Sequence, residues 1–398
     1  MAKINKGFLN LKQNYLFIEI GRKIREYIEA NPDKPIIRMG IGDVTLPIAP
    51  CVVEAMKKAS DEMGVKETFK GYEDSGRGYD FLREAVAGYY KGFGVEIAVD
   101  EIFISDGAKS DSGNITDIFG EDNVVMVSDP AYPVYVDSSI MNNKKVIFAD
   151  ATESTGFSPV VPNGVKADLI YLCSPNNPTG AVFSKEQLAE WVEYALLNKA
   201  VIIYDAAYEA FISDDSPRSI FAVEGARKCA IEICSLSKTA GFTGTRCGYT
   251  VVPKELEFYD DSGNTYSVLK IWARRQGSKF NGVPYVIQRG AEAVFSPDGL
   301  KQTREAIAYY MENARLMAET FDALGVSYTG GKNSPYIWFK CNMPSWDFFD
   351  LLLSEKQIVG TPGVGFGKNG DGWFRLTAFN TKENTIEAMS RVKELLKT

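Results

Sequence analysis

Between Ser235 and Arg246 the chain places two serine hydroxyls, a lysine and an arginine within twelve positions, in the run Ser-Leu-Ser-Lys-Thr-Ala-Gly-Phe-Thr-Gly-Thr-Arg. A lysine amine can form a Schiff base with a carbonyl cofactor, while hydroxyls, amides and a guanidinium together suit a phosphate. Pyridoxal phosphate carries both groups, so Lys238 flanked by Ser235, Ser237 and Arg246 reads as its attachment point. A polar loop with a solvated lysine would use the same residue types, and the other segments must decide.

Four further segments place polar groups beside apolar runs. Asp106-Gly107-Ala108-Lys109 follows a strand expected at 102–105, and backbone amides at such a helix start can meet a phosphate. Ser174-Pro175-Asn176-Asn177-Pro178-Thr179-Gly180 fixes a turn from which Asn177 projects an amide. Asp205 ends the apolar run Val201-Ile202-Ile203-Tyr204. A buried carboxylate needs a partner; a pyridinium nitrogen is one, and a role as helix N-cap is another. In Trp373-Phe374-Arg375-Leu376 an apolar strand carries an arginine whose planar fork suits a carboxylate or a structural salt bridge.

The 398 residues contain no histidine. That removes Ser-His-Asp and Cys-His triads and the common zinc sets, leaving lysine, carboxylate or tyrosine for proton transfer. The net charge of -8 argues against nucleic acid or an anionic membrane as partner. Six cysteines without a CxxC pair read as free thiols in a reducing compartment. No leader-like apolar segment opens the chain and no run of about 18 apolar residues occurs, so a soluble cytoplasmic protein is expected.

To position these groups the sequence alternates strands with helices. Strands are expected at 102–105, 123–127, 146–149, 169–173, 200–204, 230–234 and 248–252, with helical windows such as 185–197 between them. This predicts an α/β domain with a mostly parallel seven-stranded sheet covered by helices, its ligand loops at the carboxyl ends of the strands. The last third changes rhythm: a long helix over 299–324, a strand at 336–340, a helix over 345–356, a strand at 373–378 and a final helix. The expected organisation is an arm and part of a small domain at 1–47, a large cofactor-binding domain at 48–285, and a smaller α+β domain at 286–398.

Together, the Asn-Pro-Thr-Gly turn, the pairing of Asp205 with Tyr208, and Ser-x-Ser-Lys followed by Gly244 and Arg246 resemble the fold-type I pyridoxal-phosphate aminotransferases of the aspartate aminotransferase superfamily. The resemblance implies that Lys238 binds the cofactor and shuttles a proton, and that Asp205 pairs with the ring nitrogen. It further implies that Asn177 and Tyr208 bond the phenolic oxygen and that Tyr132 stacks on the ring. Ser235, Ser237, Arg246, Ala108 and Lys109 would hold the phosphate, joined by Tyr72 from the other subunit of a homodimer. Arg375 would clamp the substrate α-carboxylate.

Within the superfamily, Asn14–Ile20, Gly40–Asp43, Ser105–Lys109, Asp129–Ser139 and Lys279–Gly282 resemble the LL-diaminopimelate aminotransferase family. That likeness implies substrate contacts from Tyr15, Gly42, Lys109, Tyr132, Asn177 and Arg375, and from the partner's Asn281. A glutamate of that family reads the distal ammonium; the matching loop, Tyr72-Glu73-Asp74-Ser75-Gly76-Arg77-Gly78, is one residue longer, so Glu73 or Asp74 would take the role. Aromatic, alanine or kynurenine-type aminotransferases, a pyridoxal-phosphate lyase and a non-catalytic cofactor-binding regulator are the other readings.

Overall fold

The computed structural model describes residues 1–11 and 16–397. Seven strands form its central sheet: β1 (Ile102–Ser105), β2 (Val124–Asp129), β3 (Lys145–Asp150), β4 (Leu169–Cys173), β5 (Val201–Asp205), β6 (Ala230–Ser235) and β7 (Gly248–Val251). Their spatial order is β1-β7-β6-β5-β4-β2-β3. β7 runs antiparallel to both neighbours, and every other neighbouring pair is parallel.

Alternate side chains of each strand feed separate cores. On β5, Ile202 and Tyr204 pack with Leu82, Val86, Leu188 and Trp191. Val201 and Ile203 pack on the opposite face with Tyr135, Tyr171 and Trp272. The period of two therefore turns Asp205 to the side of Tyr135, and it turns Ser235, after Ile231 and Ile233, the same way. Helix Lys185–Asn198 covers the first face and opens with a reciprocal cap. Ser184 Oγ accepts from the Gln187 N–H at 3.2 Å, and Gln187 Oε1 accepts from the Ser184 N–H at 2.9 Å.

A second, antiparallel sheet has the order β8-β9-β11-β10, with β8 at Tyr328–Gly330, β9 at Tyr336–Lys340, β10 at Thr361–Pro362 and β11 at Trp373–Thr377. Its core contains Phe321, Phe339, Phe348, Phe374 and Leu376 together with Leu16, Ile20 and Ile24 of helix Leu16–Ala30. Burial of each such side chain contributes roughly 1.5–3 kcal/mol. Ile37–Arg38 pairs in parallel with Ile358–Val359, so the N-terminal segment is bonded to this half of the molecule.

One feature departs from the sequence expectation. Residues 257–279, to which no element is assigned from sequence, form a hairpin (Glu257–Tyr259 with Thr265–Ser267) and helix Val268–Lys279. The expected boundary at 285 falls at the start of helix Tyr285–Val294, whose Ala291 and Val294 pack in the first core. Among the described residues no helix is long and apolar enough to cross a membrane.

Candidate active site

β4, β5 and β6 finish side by side at their carboxyl ends, and the loops leaving them, with residues 41–43 and β11, help to enclose a cavity of ≈ 350 Å³. Lys238 sits one turn beyond β6, on the short helix Leu236–Thr239. The Ser235 hydroxyl caps that turn by accepting from the Ser237 N–H at 3.1 Å. The Lys238 ε-amine faces the cavity, where burial and the nearby Arg246 and Arg375 cations outweigh Asp43 and lower its pKa to about 8. A substantial share of the amine is thus neutral near pH 8, the form required of a nucleophile or base.

Beside it, Arg246 adopts φ +61°, a left-handed conformation uncommon outside glycine, and donates from Nη1 to Ser237 Oγ at 3.1 Å. Gly107 faces the same guanidinium at φ +118°; a Cβ there would lie 2.6 Å from Arg246 Nη2. The missing Cβ leaves a cradle formed by the start of helix Ala108–Asn114, Ser235, Ser237 and Arg246. The first N–H groups of that helix lack intrahelical acceptors, as phosphate binding requires.

Asp205 is buried, and its ligands are neutral: Tyr135 Oη donates to Oδ2 at 2.6 Å and the Ala207 N–H donates to Oδ1 at 3.0 Å. Burial raises its pKa against these two donors. A buried carboxylate without a cation suits a protonated ring nitrogen. Cys173, the residue paired with Asp205 across β4 and β5, lines the same wall.

On β11, Phe374 and Leu376 enter the core of the antiparallel sheet, so alternation turns Arg375 to the cavity. Arg375 makes no ion pair among the described residues. Its Nη1 donates to Asn177 Oδ1 at 2.5 Å and its Nη2 to the Gly40 carbonyl at 2.6 Å, while Nε is buried without an acceptor. The guanidinium carbon lies 4.5 Å from the Tyr336 ring centroid and 4.8 Å from that of Phe366. An arginine held by neutral groups alone, with a buried N–H unsatisfied, is prepared for a carboxylate ligand.

The fold brings Gly42, Ala108, Lys109, Tyr132, Asn177, Asp205, Tyr208, Ser235, Ser237, Lys238, Arg246 and Arg375 around one cavity. It does not bring Tyr72 or Asn281 there: both are exposed, Tyr72 at 84%. Tyr15 lies outside the described residues. Glu73 is occupied within its loop, accepting from the N–H groups of Ser75 at 2.7 Å and Gly78 at 3.2 Å. Asp74 is exposed and makes no hydrogen bond among the described residues.

Phe17, Asp43, Tyr135 and Tyr336 also line the cavity, although the sequence did not single them out. Tyr135 was within reach, three positions beyond Tyr132 in the first turn of helix Val134–Met141. Tyr336, the first residue of a buried strand, has no local signal at all. The expected bond of Tyr208 to the cofactor must coexist with a hydroxyl contact at 2.7 Å between Tyr208 and Tyr336. A phenol both donates and accepts, so the two are compatible.

A lysine with a depressed pKa, a Cβ-free phosphate cradle, a carboxylate that meets no cation among the described residues and an unsatisfied arginine fit pyridoxal phosphate with an amino-acid substrate. The sequence is 53% identical to the LL-diaminopimelate aminotransferase of Lachnospira eligens, covering 99% of this chain and 100% of that protein. It is 50% identical to the enzyme of the same name from Methanosphaera stadtmanae, covering 99% of each. The solved structure of L,L-diaminopimelate aminotransferase from Chlamydomonas reinhardtii superposes with a TM-score of 0.93 at 41% identity, over 99% of this chain and 98% of that one. Residues 34–392 match the family described as aminotransferase class I and II. The chain belongs to that family, whose members work with pyridoxal 5′-phosphate.

Proposed function

We propose that the protein transfers one amino group between LL-2,6-diaminopimelate and 2-oxoglutarate, forming L-glutamate and a product that cyclises to tetrahydrodipicolinate with loss of water. In reverse the reaction supplies lysine. The observation that carries this reading is the end-to-end likeness to proteins of that name at 50% identity and above, around a cavity already furnished for an α-amino acid.

When bound, pyridoxal phosphate supplies a carbonyl for the substrate amine and an electron-withdrawing ring that acidifies the substrate Cα–H. Lys238 would hold the cofactor and, as an amine whose pKa burial lowers to about 8, would be the base that moves the substrate Cα proton. Asp205, oriented by Tyr135, keeps the ring nitrogen protonated. Arg375 binds the α-carboxylate in its fork, and Asn177, whose oxygen faces Arg375, offers its amide N–H groups to the cofactor's phenolic oxygen. Tyr132, which lines the cavity, would stack on the cofactor ring and exclude water from that face. The cradle of Ser235, Ser237, Arg246 and the amides of Ala108 and Lys109 binds the phosphate.

The working form is a homodimer in the cytoplasm. Tyr72 and Asn281 lie on the surface of one chain, which suits delivery of both to a partner's cavity. All six cysteines are unpaired, which suits a reducing compartment. With Glu73 bonded inside its loop, Asp74 is the carboxylate available to a distal ammonium.

The test is a half-reaction screen that follows amino-group transfer to the bound cofactor by absorption, with LL- and meso-diaminopimelate, glutamate, alanine and aromatic amino acids side by side. Rapid conversion by LL-diaminopimelate and glutamate is expected. Conversion by aromatic amino acids with none by diaminopimelate would replace this reading with another aminotransferase specificity.

A further inference from the structure

Tyr336 touches three parts of the site at once. Its hydroxyl lies 2.7 Å from that of Tyr208, its ring stacks under the Arg375 guanidinium at 4.5 Å, and the same hydroxyl occupies the space a Cβ on Gly42 would need, 2.2 Å away. It is 1% exposed and held as the first residue of β9, where it pairs with Thr377. Tyr208, by contrast, belongs to the loop after β5 of the central sheet. The Tyr208–Tyr336 contact therefore joins the two sheets at the cavity wall.

Donor counting gives the contact a direction. Each phenol carries one proton. If Tyr208 donates to the cofactor's phenolic oxygen, as the reading above requires, it has none left for Tyr336, and Tyr336 must be the donor between them. A donated hydrogen bond polarises the acceptor's own O–H and strengthens its outward bond. We propose that Tyr336 is a positioning residue of this aminotransferase, whose hydroxyl donates to Tyr208 and aims the Tyr208 proton at the cofactor, while its ring braces Arg375 for the substrate carboxylate.

The inference rests on the cofactor reading but not on any choice of substrate, and its first readout needs no substrate. In the holoenzyme, a donor to the cofactor's phenolic oxygen stabilises the negative charge there and so favours the deprotonated chromophore. Tyr336→Phe should therefore raise the pH midpoint of the visible absorption titration by about half a unit to one unit, the weight of one weakened hydrogen bond. Because the ring is kept, KM for glutamate should stay within about twofold while kcat falls about fivefold to tenfold. Tyr336→Leu, which also removes the brace, should raise KM for both substrates.

In a Tyr208→Phe background, Tyr336→Phe should add no further shift, since the effect passes through Tyr208. An unchanged midpoint in Tyr336→Phe, or a shift of equal size in the Tyr208→Phe background, would overturn the proposal. Failure of diaminopimelate as a substrate would leave the absorption titration intact, so the two readings fail separately.

Discussion

Arg375 Nη1 donates to Asn177 Oδ1 at 2.5 Å, joining a strand of the small antiparallel sheet to the Asn-Pro turn that leaves β4 of the central sheet. The two residues are separated by 198 positions in the chain. On the proposed reading Arg375 would serve the substrate carboxylate and Asn177 the cofactor, so their bond would set the spacing between the two ligands.

Arg375→Ala should weaken every substrate that carries an α-carboxylate. Loss of a buried, charge-assisted bidentate contact costs about 2–3 kcal/mol, or roughly 30- to 150-fold in kcat/KM for both diaminopimelate and glutamate. Equal kcat/KM in the variant and the native enzyme would remove Arg375 from the substrate site.

Lys238→Ala should abolish turnover and the covalent retention of cofactor after borohydride reduction. In the native protein, capture of added pyridoxal phosphate by the cofactor-free form should accelerate as pH rises through about 8, where the amine loses its proton. A capture rate that keeps climbing up to pH 10 without levelling off above pH 8 would contradict the depressed pKa. The sign for stability follows from the same shift. Burying the charged amine is unfavourable at pH 7, and this cost declines as pH rises from about 8 towards the ordinary 10.5. Lys238→Met should accordingly raise the melting temperature of the cofactor-free protein at pH 7 and raise it less at pH 10.

Gly42→Ala should destabilise the protein by about 1–3 kcal/mol, because the new Cβ would stand 2.2 Å from Tyr336 Oη. Removing that oxygen in Gly42→Ala/Tyr336→Phe leaves a ring carbon at 3.2 Å as the nearest atom, and part of the loss should return. Urea unfolding of the cofactor-free variants measures both; a fully additive pair would show that Gly42 does not depend on Tyr336.

Tyr72 and Lys238 provide a test of shared sites. Lys238→Ala and Tyr72→Ala should each be nearly inactive alone, while mixed dimers of the two should regain activity. One of the two sites in a mixed dimer then holds both native residues. No recovery after mixing, with dimer exchange verified, would confine Tyr72 to its own chain.

Tyr135→Phe should lower kcat by about tenfold without changing KM for glutamate, since it removes one of the two donors to Asp205, the buried carboxylate proposed to meet the cofactor and not the substrate carboxylate. A matched rise in KM would place Tyr135 on the substrate side.

The sequence by itself determined the central sheet and much of its chemistry. β5 is legible because the uninterrupted apolar run Val201–Tyr204 must lie in a sheet covered on both faces, and Asp205 stands out because a carboxylate rarely ends such a run without purpose. Lys238, Ser237 and Arg246 are legible because they lie close in sequence, on one turn and the loop after it. Only the tertiary structure decided what lies against them. Tyr336 reaches Tyr208 across 128 positions, and Tyr135 reaches Asp205 across 70; neither contact leaves a local pattern, because each depends on how strands and helices are stacked. The same holds for Glu73 and Asp74. They are adjacent acidic residues in one loop, indistinguishable by type and spacing, and they differ because one carboxylate folds back onto the Ser75 and Gly78 amides while the other faces solvent. Hydrogen-bond direction and distance separate such residues, and these exist only once the chain has closed around the site.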